Sequence, residues 1–174
     1  METQKASVKK IAYNYGVYLA LISIIVLVIK YISNLDESWV LWAISTLTII
    51  SIFVYGIKSF KKENENYISI MEALKVGLAI AAIGGVISAI YTFIHYSFIY
   101  PEFIENIREQ AMLEAMERSP KMDEETMEKT EIFMNFLTSP FMFATYSLIG
   151  SLFFGFIISL ITGAIIKRAR TDIF

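Results

Sequence analysis

His95 is the only histidine in 174 residues, and Tyr91, Tyr96 and Tyr100 flank it in the chain. An imidazole among phenols can pass a proton or sense pH; read for packing alone, it is a buried or interfacial ring. Nothing nearby completes a catalytic set, which favours packing. There is no H-E-x-x-H, no G-x-S-x-G and no phosphate-cradling glycine loop. Gly150-Ser151 supplies a hydroxyl but no histidine at a similar depth. Six of the eight methionines fall between Met112 and Met142. Thioethers can hold copper(I), but methionine serves more often as an adaptable apolar filler. Ten acidic residues between Pro101 and Pro140 could attract a divalent cation, yet they lack the Asp/Asn/Gly spacing of a calcium loop and read as a solvated face. Cysteine is absent, which excludes disulfides and thiolate chemistry. These residues assemble no reaction, no metal site and no cofactor site, and the chain reads as a non-enzyme.

The elements that carry them are plainer. Apolar residues make up 56% and charged residues 18%, against roughly 25% charged in globular domains. The charges are segregated: Ile11 to Ile29, Ser38 to Ile57, Val76 to Pro101 and Ile132 to Ile166 contain no Asp, Glu, Lys or Arg. Each stretch reaches the roughly 18 apolar residues that suggest a membrane span. We therefore expect an all-α fold: an integral membrane four-helix bundle, one membrane domain over 1–174, with spans at about 11–33, 39–57, 72–100 and 140–167. Lys5, Lys9 and Lys10 before the first run resemble a signal peptide, but the run is too long and Lys30-Tyr31-Ile32 follows it, so it reads as an uncleaved span. Ser69 with Glu72 predicts a capping box before span three. Ser139-Pro140 predicts the start of span four. Trp39 and Trp42 suit an interfacial belt. Asn14 is expected to bond a neighbouring helix. The lipid bilayer is the first partner; a net charge of −2 without a basic stripe points away from nucleic acid.

Loop charge sets the orientation. The N-terminus, the segment Lys58 to Lys75 and the tail after span four together hold ten of the fifteen Lys and Arg. Positive charge is retained in the cytoplasm during insertion, so both termini are expected there and the segment 101–139 outside.

A row of small residues recurs at every fourth place in span three: Ala73, Gly77, Ala81, Gly85 and Ala89. Span four repeats it with Ser147, Ser151, Gly155, Ser159 and Gly163. Residues four apart share a helix face, and small residues let helix backbones approach in lipid, where close packing and interhelical hydrogen bonds drive association. The rows predict a tight antiparallel hairpin, with serine hydroxyls bonded to backbone carbonyls or across the contact. Ala12, Gly16 and Ala20 predict that span one joins it. A homodimer seam or a glycine-lined groove for substrate remains open beside this intramolecular reading.

Between spans three and four, 101–139 predicts an acidic helical hairpin. Ile104, Ile107, Ala111 and Ala115 share one face with Met112 and Met116 beside it, and Ile104, Ile107, Met112 and Met116 are the candidate partner contacts. Ser119 to Glu125 breaks the first helix at Pro120, and Asp123 caps the second. The second ends in Ile132 to Leu137, apolar enough to lie among lipid headgroups.

The ordered set "EALKVG", a glycine-alanine-rich span, "YPEFIENIREQ", "MDEETMEK", "TSPF" and "GFIISLITGAIIKR" resembles the uncharacterised bacterial membrane proteins grouped as domain of unknown function 4199. The resemblance covers nearly the whole chain, most clearly 69–168. It implies a four-span protein of the bacterial inner membrane with a long external helical loop, and it brings no catalytic residues. The expected role is a scaffold, accessory subunit or envelope sensor that contacts a membrane protein partner or a second copy through the loop. The alternative is a small oligomeric transporter or channel.

Overall fold

The computed structural model describes residues 6–35, 38–119 and 123–168. Six α-helices account for most of them: α1 (Val8–Ser33), α2 (Trp39–Glu63), α3 (Ile70–Ile94), α4 (Pro101–Arg118), α5 (Glu124–Leu137) and α6 (Pro140–Ile166), with a π-helical turn at His95–Ile99. Among the described residues the only β-type pairing is one isolated bridge between Ile68 and Arg168. Among the described residues four helices are long and apolar enough to cross a membrane: α1, α2, α6, and α3 together with its π turn. Large apolar side chains such as Leu47, Ile90, Phe153 and Ile165 stand exposed along them. An apolar surface of this kind suits hydrocarbon rather than water.

Local chemistry sets each end. Ser7 and Ser38 cap α1 and α2 by accepting from the backbone N–H groups of Lys10 and Leu41, each at 3.4 Å. α1 stops at Asn34, whose left-handed φ of 50° lets the N–H of Leu35 reach the Lys30 carbonyl at 3.1 Å. The predicted capping box is present: the Ser69 N–H donates to Glu72 at 2.8 Å and the Glu72 N–H to Ser69 Oγ at 3.1 Å. Ser139 Oγ accepts from the Met142 N–H at 3.3 Å, with Pro140 opening α6. Asp123 Oδ1 accepts from the Thr126 N–H at 3.1 Å, and these hydrogen bonds with Thr126 hold its carboxyl below the ordinary value.

Two boundaries differ from expectation. α2 runs to Glu63 rather than ending near 57, because Lys58, Lys61, Lys62 and Glu63 are good helix formers and charge does not stop a helix. The lysines Lys61 and Lys62 in its last turn suit the negative end of the helix dipole. The connection to α3 is therefore short, and Glu65 and Asn66 turn it with φ of 54° and 63°. The third span does not stay α-helical to 100. It widens at His95–Ile99, where the Tyr100 N–H donates to the His95 carbonyl five residues back at 2.8 Å. Asn14 is exposed. The expected chain break at Pro120, with Lys121 and Met122, lies outside the described residues, as do Asp36 and Glu37 of the first turn, Lys5 and Arg170.

The chain packs as two compact units: the first holds the residues up to Ser88 and those from Leu148, the second Ala89–Ser147. In the first, α1 packs along α2, and the core gathers Ile11, Leu19, Phe53, Ile57, Val76 and Ile80. α3 is its centre: 44% of its most apolar window is buried, against 17% in α1 and α2 and 22% in α6. In the second unit, the π turn and α5 both pack with α4.

Candidate functional site

The small-residue rows meet in the first unit. A Cβ on Gly77 would lie 2.6 Å from Ser159 Cβ, and one on Gly155 2.6 Å from Ala81 Cβ. One on Gly163 would fall 2.8 Å from Ala73 Cβ, and one on Gly85 3.0 Å from Ser151 Cβ. Each step of four up α3 is thus matched by a step of four down α6, as antiparallel helices in fixed register require. Ala89 and Ser147, one further step along, belong to the second unit and are half-buried.

Hydroxyls supply the polar part of the seam. Ser151 Oγ donates across it to the Ala81 carbonyl at 3.0 Å. Ser159, fully buried, donates instead to the Gly155 carbonyl of its own helix. Where lipid surrounds the helices, such bonds contribute on average about 0.6 kcal/mol; the close backbone approach carries the rest. Phe53 of α2 closes the seam, lying 3.1 Å from a Cβ built on Gly155.

A second face of α3 holds α1. A Cβ on Gly84 would sit 2.8 Å from the Gly16 carbonyl, and one on Gly16 2.9 Å from Ile83. Gly84 lies outside both predicted rows. The doubled glycine at 84 and 85 was the available signal, since neighbouring residues sit on different faces and two glycines in succession serve two partners. On a third face, Ile80 and Tyr15 fill the space beside Gly56. Gly150, by contrast, faces open space.

The end of α6 is pinned by contacts that no sequence pattern announced. Lys61 Nζ donates to the Ile166 carbonyl at 2.7 Å, and Ile68 and Arg168 exchange backbone bonds at 3.1 and 2.9 Å. The Arg168 guanidinium stands 5.3 Å from the centre of the Tyr67 ring.

In the second unit His95 is 1% exposed and enclosed by rings, at 5.7 Å from Tyr91, 5.2 Å from Tyr96 and 6.3 Å from Tyr100. Tyr96 stacks on Phe103 at 5.0 Å and meets Phe143 at 5.2 Å, so the cluster ties the π turn to α4 and α6. Arg108 Nε reaches the buried Thr138 hydroxyl at 3.4 Å, joining α4 to the α5–α6 junction. This arrangement orients rings and fixes helices. Among the described residues no three His, Cys, Asp or Glu come together in a group that could hold a metal ion.

The candidate partner contacts divide. Ile104 is 4% exposed and thus already used by the protein's own packing; Ile107 and Met112 are half-buried; Met116 is 39% exposed. The outlying apolar surface lies elsewhere. α5 buries none of its residues and exposes Ile132, Phe133 and Phe136, while α4 exposes Leu113. The run from 132 to 137 read as apolar in the sequence; that it stays uncovered is a tertiary fact.

The model of the family described as "Protein of unknown function (DUF4199)" matches residues 14–168. No curated protein and no solved structure matches the chain.

Proposed function

The chain belongs to that DUF4199 family, and from this premise we propose that it is a non-enzymatic, multi-pass protein of the bacterial inner membrane acting as a scaffold, accessory subunit or envelope sensor. Its helical segment α4–α5 is the contact surface. One observation carries this reading: α5 has no buried residue, yet it presents Ile132, Phe133 and Phe136 in its last turns after an acidic first turn of Glu124 and Glu125. Apolar side chains left uncovered beside charge are what a partner-binding surface requires.

The lysine and arginine distribution supports both termini in the cytoplasm and α4–α5 outside. The test is photo-cross-linking from Phe133 and Met116 in native membranes, beside topology reporters at the C-terminus and at Ser119. A discrete partner or a self-dimer captured from both positions is the expected result. Capture of random neighbours, or a C-terminal reporter on the same side as Ser119, overturns the proposal.

A further inference from the structure

A groove of about 580 Å³ runs between α1 and α2, walled by Tyr18, Ile22 and Ile25 on one side and Thr48, Ser51 and Tyr55 on the other. We propose that it holds one acyl chain of an anionic phospholipid, whose phosphate is met by Lys58 and Lys62. The volume lies within the roughly 300–1,000 Å³ of small-molecule sites.

The walls call for an occupant without polar groups. The Thr48 hydroxyl donates to the Ile44 carbonyl at 2.8 Å and the Ser51 hydroxyl to the Leu47 carbonyl at 2.8 Å. Both hydroxyls are thus turned back onto their own helix, and the groove presents hydrocarbon. Leu21 and Ile25 add exposed aliphatic surface on the α1 wall. No small residue interrupts Tyr18, Leu21, Ile22 and Ile25, so the α1 wall holds a further helix's backbone away. A flexible chain can follow such a wall.

The groove also changes character along its length in the order that a lipid does. On α2, Ser51, Tyr55, Lys58 and Lys62 follow one another at spacings of four, three and four, which keeps them on one face. That face passes from apolar to aromatic to cationic within about 16 Å. Tyr15 lies at the level of Tyr55, since it packs against Gly56, and its ring meets Tyr18 edge-on at 5.9 Å. Three tyrosines thus mark the interfacial end, where aromatic rings sit at headgroup level. Lys58 and Lys62 are exposed beyond them. Lys10 of α1, at the same end, is 4.0 Å from Glu63, while Lys58 and Lys62 stand on the groove's own face of α2 to attract the phosphate. The inference requires only that α1 and α2 cross the bilayer; it holds whichever side the N-terminus occupies and is independent of the α4–α5 proposal.

The test uses the full chain, delipidated in mild detergent and titrated with dioleoyl phosphatidylglycerol or dioleoyl phosphatidylcholine, with retained lipid read by native mass spectrometry. The expected result is preferential retention of phosphatidylglycerol. K58Q with K62Q should lower that retention on the order of tenfold and leave phosphatidylcholine unchanged. Ile22→Trp, which fills the groove, should remove both; Ser51→Leu, on the opposite wall, gives the same readout should the tryptophan variant fail to fold. Equal retention of the two lipids by the parent, retention that survives groove filling, or a second copy of the chain protecting the groove overturns the proposal.

Discussion

The α3–α6 seam and the end of helix α5 both carry apolar side chains and put them to opposite uses. At the seam, Ala73, Gly77, Ala81, Gly155 and Ser159 lose nearly all contact with the surroundings and hold two backbones close together. In α5, Ile132, Phe133 and Phe136 meet nothing that covers them. Small residues leave little surface to expose and let neighbours approach, so they build the interior; large apolar residues at the end of an acidic helix remain outside. The seam's helices are apolar along most of their length and α5 only in its last turns, and it is the small side chains that let the seam close.

The largest effect that can break this comparison is Gly77→Leu. Its Cβ alone would collide with Ser159, and overpacking should cost about 3 kcal/mol, seen as loss of the folded monomer or a large fall in the detergent melting temperature. A variant that melts like the parent would refute the seam. Gly84→Ala comes next, because its methyl group meets the backbone carbonyl of Gly16 at 2.8 Å and cannot be relieved by a rotamer change. A loss of about 2 kcal/mol is expected, whereas Gly150→Ala, facing open space, should be neutral or slightly stabilising. Ser151→Ala removes the bond to the Ala81 carbonyl and should lower stability by about 0.6 kcal/mol, again by melting.

The triple change of Ile132, Phe133 and Phe136 to serine should move melting by less than about 0.5 kcal/mol while abolishing cross-links from Met116. A large stability loss instead would mean that α5 belongs to the interior. The smallest effect concerns the start of α5. Folding lowers the Asp123 pKa through its hydrogen bonds with Thr126, so the cap is intact above the ordinary carboxylate value and is lost as pH falls through the lowered one. Protection of the Thr126 amide relative to its intrinsic exchange rate should fall only in that acid range, and in D123N it should lose this pH dependence.

Much of this was legible in the residue order. The four apolar helices show because a charge-free run is a one-dimensional signal, and the Ser69–Glu72, Asp123 and Ser139 caps show because capping is decided within four residues. The pairing of Gly77 with Ser159 and of Ala81 with Gly155 follows the period of four. Gly84 against Gly16, Phe53 over Gly155, and Lys61 on the Ile166 carbonyl were not legible: each joins residues far apart in the chain with no repeating interval between them. The π turn at His95 was hidden for a different reason, since no residue pattern announced its wider bond spacing.

The sequence by itself determined which four helices are apolar enough to cross a membrane and where caps such as Ser69, Asp123 and Ser139 open a helix, because capping and hydropathy act over a few neighbouring residues. Only the tertiary structure decided that α3 is the centre of its unit, that Ile104 is buried while Phe133 is not, and that a groove stays open between α1 and α2. A helix that is apolar on every side carries no mark of which side meets protein. That choice rests on which backbones can approach within a side chain's width, and distance exists only in the folded chain.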